Sequence, residues 1–209
     1  MNILTFDIEE WFHVRFENEF LDNSKLLDSF PKRLDLNMKI ILDMLDDHNQ
    51  KATFFCLGWV AREYPHVIKE IDERGHEIGC HSDVHKLLYN FSKEEFENDL
   101  DKALQSIESL IHKKVELYRA PAFSITNKNK WVFEILYKYG IRVDCSIFPA
   151  KRDFGGINDF YSSKPSIIEI SKSNLLKEFP INLYRTKVKD IVFSGGGYFR
   201  LLPYFIINN

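Results

Sequence analysis

The sequence alternates strand signals with helix signals over its first two thirds, and this alternation limits the possible folds. The β-prone runs NILTFD, KATFFCLG and HEIGCH are each followed by a segment with helical periodicity. The strongest helix signal, FSKEEFENDLDKALQSIESLIHK, has an apolar face and a capping box of Ser92 and Glu95 at its start. The runs VELYRAP and IRVDCSIFP flank a further helix signal. Four consecutive strand–helix units predict a parallel sheet, open or closed into a barrel.

The pattern changes near residue 150. The segments SIIEIS, KEFPINLY and DIVFSGGGYF predict short strands with turns and no helices. A length of 209 residues suits one domain, and no repeat, linker or low-complexity segment divides the chain. We therefore predict a single domain over residues 1–209, with a core at about 1–150 and a β-rich tail at about 151–209.

Composition excludes several classes of protein. The net charge is −3 and the lysines are scattered, which argues against nucleic-acid binding. No stretch approaches the roughly 20 apolar residues of a membrane span. The acidic start, MNILTFDIEEWF, lacks the basic region of a signal peptide. We expect a cytoplasmic protein without a membrane span, and the sequence leaves its oligomeric state open.

Polar clusters follow three of the predicted strands, at the ends where parallel α/β folds bind ligands. In FDIEE, alternation places Asp7 and Glu9 on one face, which suits metal binding and base catalysis; a solvated acidic turn is the alternative. His81 and His85 in HEIGCHSDVH are four residues apart. On a helical turn both imidazoles would point to one side and could bind zinc or a similar ion, whereas two unrelated histidines are the alternative.

A third cluster combines Arg119, at the end of VELYRAP, with Asp144, at the end of the next strand. Each could be an ordinary salt-bridge partner. An arginine beside an ionised carboxylate would lower the pKa of that carboxylate and fix its orientation. This cluster is therefore a further candidate for the same site.

Five runs occur in an order that resembles the successive motifs of the polysaccharide deacetylase family, the NodB-homology group of carbohydrate esterase family 4. They are LTFDIEEWFHV, TFFCLGWVA, GHEIGCHSDVH, YRAPAFSI and VDCSIFP, and together they cover about residues 1–150. The run SGGGYFRLLPY resembles, less specifically, a segment of a bacterial subgroup linked to exopolysaccharide production. The resemblance implies an α/β fold: a distorted, incomplete (β/α) barrel with a β-rich C-terminal part.

The resemblance also implies an activity, the hydrolysis of N-acetyl groups on an amino-sugar polysaccharide or oligosaccharide by a metal-activated water. This reaction cleaves a non-peptide C–N bond. Asp7 resembles the general base, Arg119 would orient it, and Asp144 resembles the acid that tunes a catalytic histidine. One divalent ion is implied, Zn²⁺ first, with Co²⁺, Mn²⁺ or Ni²⁺ as alternatives. The implied metal ligands are Glu9, His81 and His85.

The implied partner is an acetylated glycan. The backbone after Pro121, including Ala122, would help to hold the oxyanion of the reaction. His13 and Tyr198 are candidates for sugar contacts, although His13 could equally have a packing or surface role and aromatic residues are more often found in the core.

Two departures from the family pattern change the expectations. The family's first motif has adjacent aspartates, whereas here Asp7 pairs with Glu9 and Glu10 remains an alternative ligand. No histidine follows His112, although the family's last motif supplies one as general acid. We therefore expect a truncated chain, slow deacetylation, and an Asp144 that faces solvent or an open gap in the barrel wall. Two other functions stay open: hydrolysis of another linear or cyclic amide or ureide, and non-catalytic glycan binding with a retained metal.

Overall fold

A computed structural model describes residues 3–15, 30–150, 152, 155–185 and 190–192 of the chain. Its centre is a seven-stranded sheet, in the spatial order β1-β2-β3-β4-β5-β7-β6. The strands are β1 (Thr5–Ile8), β2 (Thr53–Cys56), β3 (Glu77–Cys80), β4 (Leu117–Tyr118), β5 (Val143–Asp144), β6 (Ser166–Ser171) and β7 (Asn174–Glu178). Strands β8 (Leu183–Arg185) and β9 (Asp190–Val192) form a separate antiparallel pair. The sheet is not closed, which confirms the prediction of an α/β fold with an incomplete barrel.

Helices fill the connections between the first five strands. They are α1 (Trp11–Arg15), α2 (Leu34–Asp47), α3 (Gly58–Glu63), α4 (Pro65–Glu73), α5 (Lys93–Ile111) and α6 (Val132–Lys138). The capping box at the start of α5 is confirmed: Ser92 Oγ accepts from the Glu95 N–H, and the Glu95 carboxylate accepts from the Ser92 N–H. No helix within the described ranges is long and apolar enough to span a membrane.

Strands β1 to β5 pair in parallel with their neighbours, so their carboxyl ends lie along one edge of the sheet. Every residue of β2 is buried, as expected for a central parallel strand. Gly79 lets the Phe55 ring lie across β3, because a Cβ at this position would be 2.6 Å from a Phe55 ring carbon. The ring of Phe55 in turn packs under the Arg119 guanidinium, at 4.1 Å from ring centroid to Cζ. Packing within the sheet therefore positions a candidate site residue.

The part of the chain after β5 extends the same sheet. Strands β6 and β7 form an antiparallel hairpin, and β7 returns to pair in parallel with β5, with Asp144 opposite Glu178. No helix occurs among the described residues from 155 onward, in agreement with the predicted β-rich C-terminal part. No pattern in the sequence predicts the pairing of β7 with β5.

This pairing shows that the prediction for Asp144 is wrong: Asp144 does not face solvent or an open gap. Both Asp144 and Glu178 have no exposed surface. Ser146 Oγ donates to Asp144 Oδ1, and the Ile147 N–H donates to Glu178 Oε1 at 3.2 Å. Burial raises the pKa of both carboxyl groups, and the Asp144 charge raises the pKa of Glu178 further. The raised pKa favours the protonated form of Glu178. Glu178 occupies the position beside Asp144 where the sequence predicts an open gap.

Replacing Glu178 by glutamine should reveal this bound proton. The folded-state pKa of Glu178 is raised, so wild-type stability is complete below the ordinary carboxyl pKa and falls as pH rises toward the folded value. Glu178→Gln has no proton to lose at this position. It should match the wild type near pH 4.5 and gain up to about 1.4 kcal/mol per pH unit over it above that pH. Urea unfolding between about pH 4.5 and about pH 8 measures the difference, and a pH-independent difference would contradict the assignment.

Candidate metal centre

Two adjacent acids at the end of β1 point in opposite directions. Glu9 turns toward the end of β3, where its Oε2 lies 3.0 Å from His85 Nε2. Glu10 is buried, and its Oε1 accepts from the Leu34 N–H at 3.1 Å and from the Tyr64 hydroxyl at 2.9 Å. Glu10 therefore binds the first turn of α2, whereas Glu9 points toward His85.

The two histidines of HEIGCHSDVH approach each other through a loop. His81 follows β3, and its Nδ1 lies 2.8 Å from the carbonyl oxygen of Arg119. This bond places the proton on Nδ1, so Nε2 keeps a free lone pair. Ser82 Oγ accepts from the His85 N–H at 3.1 Å. The expected helical turn is wrong, because Ser82 and His85 both have positive φ (73° and 63°) and the segment between them is not helical.

Three side chains of this region could hold one ion. Ligand atoms of Glu9, His81 and His85 all lie within 4.8 Å of one another. Glu9 Oε2 is buried and accepts no hydrogen bond from the described residues, although His85 Nε2 is close. A buried carboxylate oxygen without a donor is unfavourable unless a cation neutralises it. One carboxylate and two imidazoles are a suitable donor set for zinc, so the residues present fit a divalent ion.

Asp7 and Arg119 form an ion pair beside these ligands. Arg119 Nη1 donates to Asp7 Oδ1 at 2.8 Å and to Thr5 Oγ1 at 3.0 Å. Burial raises the pKa of Asp7, but the Arg119 charge and hydrogen bond, together with the charges of the nearby histidines, outweigh it. The net pKa of Asp7 lies below its ordinary value, so the carboxylate is ionised at neutral pH.

The turn Pro121–Phe123 follows Arg119 and is held in an unusual conformation. Ala122 has φ 50°, a left-handed value that is uncommon for a residue other than glycine. The hydrogen bonds of the described residues give the Ala122 N–H no acceptor. Arg152 Nη1 donates to the Ala122 carbonyl at 3.0 Å, and Ser146 Oγ accepts from the Ala120 N–H at 2.8 Å. The sequence analysis did not single out Ser146, although it lies in the run VDCSIFP, and Arg152 lies in no pattern with a chemical signature.

The remaining predicted site residues are placed differently. His13 is buried against Trp59, with ring centroids 4.8 Å apart, and its Nδ1 accepts from the Glu10 N–H at 3.1 Å. Burial lowers the pKa of His13 to about 4, so the ring is neutral and carries its proton on Nε2. Nε2 has no hydrogen-bond partner among the described residues. Asp144 lies behind Ser146 without solvent exposure, and Tyr198 lies outside the described residues.

Comparisons with known proteins indicate the family to which the chain is similar. Residues 27–143 match a family model described as polysaccharide deacetylase, and residues 145–209 match a domain of unknown function, DUF3473. A peptidoglycan-N-acetylglucosamine deacetylase of Bacillus cereus is 37% identical over 95 residues, which are 45% of this chain and 34% of the relative. A chitooligosaccharide deacetylase of Azorhizobium caulinodans is 30% identical over 111 residues, 52% of this chain and 51% of the relative.

A solved structure shows the same fold. A Mycobacterium smegmatis protein, provisionally assigned as a polysaccharide deacetylase, aligns with a TM-score of 0.68 at 20% sequence identity. The alignment covers 93% of this chain and 64% of the other. The chain spans 34% and 38% of the length of the first curated relatives, so their whole-protein activities are not transferred by the match alone.

The adjacent acids Glu9 and Glu10 provide a matched test of the metal centre. Glu9→Gln removes the anionic ligand and should weaken zinc binding by more than about 10-fold. Glu10→Gln should keep zinc affinity within about two-fold but lower the free energy of unfolding by about 1–3 kcal/mol, because it disturbs buried hydrogen bonds. Chelator competition measures the first quantity and urea unfolding the second. Equal loss of zinc binding in both variants would contradict the assignment.

Proposed function

The chain belongs to the polysaccharide deacetylase family, and we propose that it is a metal-dependent hydrolase that removes N-acetyl groups from an amino-sugar-containing glycan. The observation that carries the proposal is the convergence of Glu9, His81 and His85 next to an ionised Asp7. The two curated relatives described above are named for deacetylation of amino-sugar substrates, which supports this substrate class.

The metal ligands and the base have separate roles in this proposal. Bound to Glu9, His81 and His85, a divalent ion would supply Lewis acidity to the attacking water and the acetyl carbonyl. Zn²⁺ is the first choice for this donor set, and Co²⁺, Mn²⁺ or Ni²⁺ are alternatives. Asp7 takes the proton of the water as general base. Arg119 keeps Asp7 ionised and fixes the direction of its carboxylate.

The turn after Arg119 supplies a hydrogen-bond donor, the Ala122 N–H, for the negative charge that develops on the acetyl oxygen. The Ala122 N–H has no acceptor among the described residues. Ser146 binds the Ala120 N–H and Arg152 binds the Ala122 carbonyl, so the turn is held on both sides of this N–H before substrate arrives. A donor that needs no reorganisation can contribute about 10²–10³-fold to the rate. Pro121 restricts the backbone at the start of this turn.

The other predicted residues take narrower roles. Nε2 of neutral His13 is buried, so the described structure does not present it to a sugar, and its low pKa argues against a cationic proton donor at neutral pH. Asp144 supports the Ala120 backbone through Ser146, which is a positioning role without substrate contact. The 209 residues carry no histidine after His112. Asp7, protonated after the water step, is the described group that can return a proton to the leaving amine.

A non-catalytic glycan-binding protein with a retained metal is the alternative from another class. Glycan binding alone does not need an ionised carboxylate that an arginine orients beside the metal ligands, so the Asp7–Arg119 pair favours a hydrolase. An amidase that acts on a different linear or cyclic amide would use the same residues. These alternatives predict different outcomes in one assay.

Acetate release is the direct test of the proposed activity. The protein should release acetate from N-acetylated chitooligosaccharides or peptidoglycan fragments, and a chelator should abolish the release until zinc is restored. Binding of these glycans without acetate release would instead indicate the non-catalytic alternative. Turnover of simple cyclic amides or ureides, with no action on acetylated sugars, would indicate the other amidase reaction.

Asp7→Asn should separate catalysis from metal binding. The variant loses the base but keeps all three ligands, so turnover should fall about 10²–10⁴-fold while zinc affinity stays within about three-fold. Steady-state acetate release and chelator competition measure the two effects. Loss of zinc in Asp7→Asn with retention in Glu9→Gln would show that the two roles are interchanged, and an equal loss in both would contradict the separation of base from ligand.

A further inference from the structure

The loop that presents the two candidate ligand histidines is strained. Ser82 and His85 both adopt left-handed backbone conformations that cost of order 1–3 kcal/mol each in a non-glycine residue. Such conformations persist only where surrounding contacts determine them. The bond from the His85 N–H to Ser82 Oγ lies within the loop and does not anchor it to the rest of the protein. The loop must therefore be held by contacts with the rest of the protein.

Asp83, between the two histidines in sequence, makes these contacts. It is 2% exposed, and its backbone N–H donates to Asp99 Oδ2 at 3.0 Å while its carbonyl accepts from the Trp59 N–H at 2.9 Å. Arg62 binds its carboxylate through both terminal nitrogens, at 2.6 and 3.0 Å. Lys102 Nζ lies 2.8 Å from Asp83 Oδ2. All polar groups of Asp83 are therefore bound by α5 or by α3.

The same loop is packed against the start of α3 without spare room. The Gly58 N–H donates to the Ser82 carbonyl at 3.0 Å. A Cβ on Gly58 would lie 2.3 Å from Asp83 Oδ1 and 2.7 Å from the Ala103 Cα. A side chain at position 58 would therefore displace Asp83 or α5. This close approach fixes the distance between the loop and the two helices.

We propose that the Arg62–Asp83 ion pair is a positioning device that holds His81 and His85 in ligating geometry and thereby sets metal affinity. The inference rests on the proposed metal centre. Arg62 forms two parallel hydrogen bonds, which fix the orientation of the carboxylate as well as its distance. Lys102 adds a second positive charge beside the Asp83 carboxylate through one contact, which does not fix its orientation. Because Asp83 lies two residues from each histidine, a shift of its backbone moves both imidazoles.

Zinc affinity distinguishes positioning from general stabilisation. Arg62→Met removes the pair, and Arg62→Lys keeps the charge but loses the two-point contact. Arg74→Met is the matched control, because Arg74 also pairs with several acids, Asp43, Asp46 and Glu70, but contacts no part of the loop. Both Arg62 variants should weaken zinc binding about 10–100-fold, as expected for residues that orient metal ligands. The control should stay within about two-fold, whatever its melting temperature.

Three outcomes decide the proposal. Unchanged zinc affinity in both Arg62 variants overturns it, and so does an equal loss in Arg74→Met, which would show an effect of stability alone. If Arg62→Met does not fold, Arg62→Lys and Gly58→Ala are compared with the control, with the same expected loss of zinc affinity.

Failure of the metal centre itself would be recognised separately. Wild type and Glu9→Gln would then bind zinc equally. In that case the positioning role of the Arg62–Asp83 pair is tested on the zinc-free protein by amide hydrogen exchange. Amide hydrogen exchange at Asp83 and His85 should be faster in Arg62→Lys than in wild type and unchanged in Arg74→Met. Equal exchange rates in wild type and Arg62→Lys would overturn the positioning role.

Discussion

Arg119 contacts all the strand ends that form the candidate site. Its guanidinium donates to Asp7 on β1 and, at 3.4 Å, to the Cys145 carbonyl after β5, while its own carbonyl binds His81 after β3. The face of the guanidinium rests on Phe55 of β2. One residue therefore orients the proposed base and fixes the tautomer of a proposed ligand. Because these partners come from separate strands, the site depends on the parallel register that brings their carboxyl ends together.

The region that matches a domain of unknown function contacts the candidate site. Its residues Ser146 and Arg152 bind the turn that follows Arg119. Gly155, with φ 117°, approaches this turn so closely that a Cβ there would lie 2.6 Å from the Phe123 carbonyl oxygen. The described beginning of this region is therefore packed onto the proposed oxyanion turn. The two regions that match different family models therefore contact each other beside the candidate site.

Local patterns determined much of the fold and part of the site. Helix α5 and its capping box follow from the 3.6-residue period and from side chains three residues apart, which need no tertiary contact. The alternation of strand and helix signals predicted the parallel sheet in the same way. The opposite directions of Glu9 and Glu10 agree with the period of a strand that ends at Ile8. Each of these features depends on residues close together in sequence, so the sequence alone could show them.

The sequence by itself therefore determined the order of elements and the residue types at the strand ends. Tertiary structure alone decided which distant residues hold them. Glu178 pairs with Asp144 only because β7 returns beside β5, so a carboxyl group occupies the place where we expected a gap. Arg62 reaches Asp83 only because α3 packs against the histidine loop. Charged residues such as these have no periodic signature, and the free energy of burying them depends on partners that only folding brings within hydrogen-bonding distance.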